Sequence, residues 1–139
     1  MIKQMNIEDF KKGKSSYEAR TGMWDREKII VFVDLPDGNE LSQWIGAVNN
    51  KLLWIDENKD KITQAVMDSN VFSKLHEWTT EVVTDEDFRA GLYISVLGFS
   101  FQWKKTEVYI QCDRDYFSGH CICLYLDEQN KVTSCGLEG

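Results

Sequence analysis

Residues 113–120 read DRDYFSGH and concentrate side chains that can carry acid–base chemistry. Two carboxylates and an imidazole within eight residues are the groups that a general acid–base site needs, so Asp113, Asp115 and His120 are candidate catalytic or ligand-binding residues. Ser118 does not lie in a GxSxG sequence, which argues against a serine nucleophile. Phe117 stands where a calcium-binding loop would need an oxygen ligand, which argues against a calcium site. The alternative is a structural His120, since an imidazole at the start of a strand commonly bonds to the backbone.

The four cysteines offer thiol chemistry only if a base lies near them; they are Cys112, Cys121, Cys123 and Cys135. They form no CxxC pair, so neither a zinc knuckle nor a thioredoxin-like redox pair is indicated. Adjacent His120 and Cys121 point to opposite faces of a strand, and a contact with His76 is not visible in the sequence. We expect reduced, buried cysteines, no metal and no cofactor, with zinc held by these cysteines and His120 as the alternative.

Charge is distributed unevenly along this chain, whose net charge is −7. Residues 1–28 hold 7 Lys/Arg against 5 Asp/Glu, whereas residues 29–91 hold 5 against 12. Because nucleic-acid binding needs Lys and Arg to replace counterions, the acidic middle argues against a nucleic-acid partner. It favours a basic protein partner, whose encounter it would accelerate. The alternative is an acidic surface that only keeps the chain in solution.

A tryptophan next to acidic residues marks a possible interface within this acidic middle. Trp54 lies off the apolar stripe of its helix, beside Asp56 and Glu57, and Asp60 follows. Because tryptophan is enriched at the centre of protein interfaces, these four are candidate partner-binding residues. The alternative is a partly buried Trp54 that covers the end of the helix.

The elements that must position these residues follow from length and periodicity. A chain of 139 residues with 42% hydrophobic and 28% charged residues predicts one domain over residues 1–139, with residues 1–15 loosely held. A β-branched run predicts a strand at 28–35, after a short strand at 17–20 and a turn at Thr21-Gly22. Apolar residues at helical spacing cover 41–66, and a break at 56–60 is expected because one helix of ~45 Å exceeds the width of such a domain.

The remaining sequence predicts a shorter helix at 71–78, a helix that opens at Thr84, and strands in the last third. In the first of these strands, Leu97 and Phe99 alternate on one parity and Ile94 and Val96 on the other. The predicted fold class is α+β in two layers. An antiparallel sheet, made of the N-terminal strand and a C-terminal meander, is covered on one face by the central helices.

The C-terminal end carries a recognisable pattern: Phe117-Ser118-Gly119-His120-Cys121-Ile122, then Leu126-Asp127-Glu128, Lys131-Val132 and Gly136 or Gly139. It resembles the F-x-G-H-x-I…D-x-x-G-x-V…G ending of a family of small bacterial domains of unknown function. Asn130 stands where that family has its turn glycine, and residues 84–88 resemble its middle segment. The resemblance covers residues 75–139 and implies a bacterial α+β domain with no established activity.

Two function classes follow. The absence of P-loop, GxGxxG and HExxH motifs favours a non-enzymatic protein-binding domain, such as an immunity-type protein that blocks a toxin, by analogy with small acidic bacterial domains of that type. The alternative is a small enzyme or ligand-binding domain that uses Asp113, Asp115 and His120. It predicts a pocket between their loop and the helices. No apolar run approaches the ~18 residues that cross a membrane, and no signal peptide is recognisable, so we expect a cytoplasmic protein without membrane association. The sequence indicates no oligomeric state.

Overall fold

The structure is a computed structural model that describes residues 2–138. The strands are β1 (Lys11–Lys12), β2 (Tyr17–Met23), β3 (Arg26–Asp34), β4 (Leu92–Ser100), β5 (Lys105–Cys112), β6 (Cys121–Leu126) and β7 (Val132–Glu138). The helices are α1 (Ile45–Glu57), α2 (Lys59–Asp68), α3 (Val71–Trp78) and α4 (Asp85–Ala90), with short 3₁₀ helices at Ile7–Asp9 and Leu41–Gln43. All four α-helices lie between β3 and β4 in the chain.

The strands form one seven-stranded sheet in chain order from β1 to β7. Every neighbouring pair is antiparallel except β3 and β4, which are parallel. A parallel pair needs a long crossover connection, and the four helices supply it. The expected C-terminal meander is present as β4–β7. The strands predicted at 17–20 and 28–35 correspond to β2 and β3; both join the sheet, where we expected one joining strand, and β1 was not predicted.

The sheet has one covered and one uncovered face. Val31, Leu97, Val108 and Leu124 lie in register across β3–β6 and are fully buried beneath the helices. Most of their chain neighbours on the other face, such as Phe32 in β3, are only partly buried, although Cys123 of β6 is buried. This alternation is typical of a sheet that packs on one side only. The predicted two-layer α+β architecture is therefore confirmed.

The long apolar helical stretch is broken within residues 56–60, as expected. Asn58 separates α1 from α2 with non-helical backbone angles (φ −114°, ψ 34°). Its side-chain Nδ2 donates to the carbonyl of Trp54 at 2.7 Å, so the side chain satisfies a carbonyl at the end of α1. At α4, the predicted cap is also present, because the N–H of Asp87 donates to Oγ1 of Thr84 at 3.1 Å.

Two predictions about strands were wrong. The turn expected at Thr21-Gly22 lies instead at Trp24-Asp25, both with positive φ (50° and 66°), and β2 continues to Met23. Trp24 is buried there, and its indole N–H donates to the carbonyl of Ile55 at 3.1 Å, a tertiary contact that holds the turn.

The second wrong prediction concerns the alternation along β4. The pairing of β4 with β5 shifts between Ile94 and Val96, so Ser95 is an extra residue that reverses the alternation. Ile94 and Leu97 therefore share the covered face, although they have opposite parity in the sequence.

The N-terminal segment is held by Met5, which is buried. Its N–H donates to Oδ1 of Asn49 at 2.8 Å, and its carbonyl accepts from Nδ2 of the same side chain at 2.9 Å. This paired contact attaches Met5 to α1.

Candidate functional site

The candidate loop, residues 113–120, connects β5 to β6 and is fixed to the helical layer at both of its halves. The N–H of Asp113 donates to the carbonyl of Gly91, just after α4, at 2.8 Å. Phe117 is only 2% exposed and packs its ring edge-on against Phe88 of α4 and Trp78 of α3, at centroid distances of 6.3 and 6.0 Å. The loop therefore has its own anchor in the hydrophobic core.

A cavity of about 230 Å³ opens beside this loop and is lined by all three candidate residues, Asp113, Asp115 and His120. A ligand-binding role for the loop led us to expect a pocket between the loop and the helices. The other lining residues come from the loop itself and from β4, β5 and β6, with Tyr93 and Cys112 among them. The pocket thus lies against the end of the sheet, and that expected position was wrong.

Asp113 is engaged in an ion pair with Arg26 of β3. The guanidinium of Arg26 also lies over the ring of Tyr93, 3.7 Å from its centroid, which is the geometry of a cation–π contact. Arg26 and Tyr93 were missed by sequence reasoning, because nothing in their spacing predicts that β3 and β4 bring them to residue 113. The carboxylate of Asp113 is therefore oriented by a cation from a distant strand.

Asp115 closes the turn at the end of the loop. Its Oδ1 accepts the N–H of Gly119 at 2.7 Å, across a turn in which Ser118 and Gly119 both have positive φ (52° and 84°). Such backbone angles are strained for a residue with a side chain, and a carboxylate that accepts a backbone N–H stabilises them. Asp115 thus has a structural role that accounts for its position.

His120 has two contacts that fix its ring. Its Nδ1 lies 2.9 Å from the carbonyl oxygen of Phe117, and the ring packs edge-on against Trp78 at a centroid distance of 5.0 Å. A carbonyl oxygen only accepts, so Nδ1 carries the hydrogen and Nε2 has the free electron pair of the neutral imidazole. Among residues 2–138 no hydrogen-bond partner of Nε2 is present. The two contacts thus give the ring a structural role and leave Nε2 without a bond.

Trp78 borders the site and was missed as a part of it. Sequence reasoning grouped it with Phe72 and Leu75 as core, yet Trp78 is 39% exposed. Its ring contacts both Phe117 and His120, so it joins the end of α3 to the loop. Trp78 does belong to α3 with Phe72 and Leu75, but as the last residue of that helix it lies at the rim of the core.

The thiols near the loop are poor nucleophiles. Burial, with the nearby carboxylates of Asp113 and Asp115, raises the pKa of Cys112 to about 12. Burial also raises the pKa of Cys123 to about 11. With these raised pKa values, both side chains stay protonated near neutral pH. They are poor nucleophiles because the thiolate is the reactive form. Within residues 2–138, no group of three His, Cys, Asp or Glu side chains is arranged to hold a metal ion.

The candidate partner-binding residues meet at the corner between α1 and α2, which we call the acidic corner: Trp54, Asp56, Glu57 and Asp60. Trp54 is partly buried and packs against the core. Glu57 and Asp60 are exposed, and Asp56 is partly so. In the described part of the chain, the three carboxylates make neither an ion pair nor a side-chain hydrogen bond.

Comparisons with known proteins gave no match to a family model, to a curated protein or to a solved structure. The resemblance of residues 75–139 to a small bacterial domain family therefore stays a prediction. Over residues 2–138, the helices are all too short or too polar to cross a membrane.

Proposed function

We propose that this chain is a non-enzymatic protein-binding domain of the immunity type, which binds a basic protein partner through the acidic corner. The observation that carries the proposal is that its three carboxylates, Asp56, Glu57 and Asp60, have no ion-pair partner among residues 2–138. Carboxylates that make no ion pair keep more of their field available to an approaching cationic surface.

The surroundings of the acidic corner support the same partner chemistry. Residues 29–91 hold 12 acidic against 5 basic residues. In the described structure, Glu81 is the one acidic residue of the helical layer with an ion pair, to Arg114 at 2.9 Å. The helical layer therefore carries a net negative charge, which favours association with a basic protein and disfavours nucleic acid.

The state of the candidate loop agrees with a protein that performs no catalysis. Asp113 is paired with Arg26, and Asp115 closes a turn. Neither carboxylate is left without a structural partner, as expected for groups that hold a loop together. The thiol of Cys112, in the same cavity, has a raised pKa.

The experiment is partner capture with a charge-reversal variant and a matched control. Asp56→Lys, Glu57→Lys and Asp60→Lys are combined in one chain. The control combines Glu8→Lys, Glu27→Lys and Asp37→Lys, which changes the net charge equally at exposed sites elsewhere. Both are checked by circular dichroism, used to capture partners from bacterial lysate at low and moderate salt, and then titrated against the purified partner.

We expect a basic partner that binds the unsubstituted chain and the control, and that loses affinity only with the acidic-corner variant. Its association rate should fall as salt rises, because salt screens exposed charges. Equal loss in both variants would show that only net charge matters. Undiminished binding of the acidic-corner variant would exclude this surface.

The second candidate function is small-ligand binding or acid–base chemistry at the loop. The observation that favours it is the unpartnered Nε2 of His120, on a residue that lines a cavity of about 230 Å³. A His120→Gln variant that folds normally but loses binding of a small molecule found by ligand-detected nuclear magnetic resonance would support it. An unchanged ligand spectrum would argue for a purely structural imidazole.

A further inference from the structure

A second cavity, of about 240 Å³, lies where β4 ends and β5 begins, at the opposite end of β5 from the candidate loop. Its walls come from three regions of the chain: Trp44 and Lys51 at and within α1, residues 99–101 with 104–105, and Glu128 after β6. We call it the Trp44 cavity. Because no two of these segments adjoin in sequence, it has no motif.

Three aromatic side chains supply apolar wall to the Trp44 cavity. Trp44, Phe99 and Phe101 all line it, and the rings of Trp44 and Phe101 lie 4.6 Å apart with an angle of 31° between their planes. The indole N–H of Trp44 donates to Oδ1 of Asn39 at 3.0 Å, which fixes the ring and leaves the cavity with its apolar surface. Aromatic walls favour a planar apolar group.

Lys51 adds a half-buried positive charge to these walls. In the described structure it makes no ion pair, and its Nζ lies 3.4 Å from Oδ1 of Asn130, a long hydrogen bond. Burial lowers the pKa of Lys51, although Glu128 and Asp127 act in the opposite direction. A partly desolvated ammonium without a carboxylate partner is stabilised by any anion that enters the cavity.

The neighbouring charges limit where an anion can lie. Lys105 lines the cavity, but its Nζ is paired with Glu107 at 3.4 Å. Lys104 is exposed, on a turn residue with φ 58°, and makes no ion pair among residues 2–138. Glu128 is the one acidic residue of the lining and is exposed. Lys51 and Lys104 are therefore the cations that an anion would meet.

We propose that the Trp44 cavity binds a small planar organic anion, an aromatic ring that carries a carboxylate. The ring lies against Trp44 and Phe101, and the carboxylate is bound by Lys51. The size agrees, because a cavity of ~150 Å³ is enough for benzene and this one holds about 240 Å³. This inference does not depend on the protein-binding proposal, since the acidic corner contributes no residue to the cavity.

The test is isothermal titration calorimetry on the full chain with two probes of the same shape, 2-naphthoate and the neutral 2-naphthamide. We expect naphthoate to bind about tenfold or more tightly than the amide, because hydrogen bonds between charged groups are roughly twice as strong as neutral ones. Equal affinities, or no binding of naphthoate at millimolar concentration, would overturn the proposal.

Two lysine variants locate the charge that matters. Lys51→Met removes the charge and keeps an unbranched side chain; it should weaken naphthoate binding about tenfold and leave the amide unchanged. Lys61→Met, at an exposed position on α2, is the matched control and should change neither. If Lys51→Met binds naphthoate like the unsubstituted chain, the proposal fails.

A third variant tests whether Glu128, the acidic residue of the lining, competes with a bound carboxylate for Lys51. Glu128→Gln removes the one acidic residue of the lining, so naphthoate should bind more tightly to it. Weaker binding would contradict the proposed position of the carboxylate. Amide chemical shifts on titration should change at Trp44, Lys51 and residues 99–105, and changes confined to the candidate loop would place the probe elsewhere.

Discussion

The two ends of β5 carry cavities of nearly equal size and opposite character. At the Cys112 end, the cavity of about 230 Å³ is lined by the polar candidate loop, whose carboxylates are held by Arg26 and by a backbone N–H. At the Lys105 end, the Trp44 cavity of about 240 Å³ has the aromatic side chains of Trp44, Phe99 and Phe101 in its walls, and its Lys51 makes no ion pair in the described residues.

The difference shows that a dense set of reactive residue types is not the same as available chemistry. The candidate loop concentrates acids, a hydroxyl and an imidazole, and the fold uses most of them to shape a turn and attach it to the sheet. The Trp44 cavity also has polar and charged residues in its lining, yet one of them, Lys51, is a half-buried cation that makes no ion pair in the described structure. Unsatisfied groups, rather than numerous ones, indicate where a ligand would be stabilised.

The largest expected effect comes from the anchor of the candidate loop. Phe117→Ala should lower the free energy of unfolding by about 3–5 kcal/mol, because it empties a buried aromatic site between α3 and α4. Phe101→Ala, at the Trp44 cavity, should cost about half as much or less, since its ring is partly exposed and borders open space. Urea unfolding of both variants measures the difference. Equal losses would mean that the two ends of β5 are equally part of the core.

Much of this arrangement could be read from the sequence, because it depends on local pattern. The apolar spacing of residues 41–66 predicted a helix and its length predicted the break that Asn58 makes. Thr84 and Asp87 predicted a cap that is present. Caps and periodicity involve residues within one or two turns of each other, so their signal survives in a single sequence.

What could not be read depends on contacts between distant segments. The turn at Trp24-Asp25 lacks glycine and is held by a bond to Ile55, and the extra residue at Ser95 becomes visible only through pairing with β5. The pairing of Arg26 with Asp113 and the assembly of the Trp44 cavity likewise require the sheet order. Sequence spacing carries no information about these contacts, because they span up to 87 residues.

An intermediate effect tests whether His120 holds the loop. His120→Ala removes the Nδ1 hydrogen bond to Phe117 and the edge contact with Trp78, and should lower the free energy of unfolding by about 1–2 kcal/mol. His76→Ala, at an exposed position on α3, should cost less than about 0.5 kcal/mol. A variant at residue 120 as stable as the one at residue 76 would leave the imidazole without a structural role and would favour its function as a base or ligand.

The smallest effect concerns Lys51 and has a defined dependence on pH. Because burial lowers the pKa of Lys51 below its ordinary value of 10.5, the folded state binds this proton more weakly than the unfolded state. Between the lowered pKa and 10.5 the unfolded chain therefore holds more protons, so stability should rise with pH across that window. Below it, the charged lysine weakens the fold, and Lys51→Met should stabilise the chain by less than about 1 kcal/mol, since solvent screens a half-exposed charge.

Urea midpoints measured from pH 7 to pH 10.5 follow this difference, with Lys61→Met as the control that retains the slope of the unsubstituted chain. If Lys51→Met keeps the full increase of stability with pH, groups other than Lys51 cause that increase. If Lys51→Met is less stable than the unsubstituted chain at pH 7, the ammonium is already compensated by Glu128 or Asp127. Lys51 would then resemble Asp113, a charge that the fold has satisfied, and the contrast between the two ends of β5 would disappear.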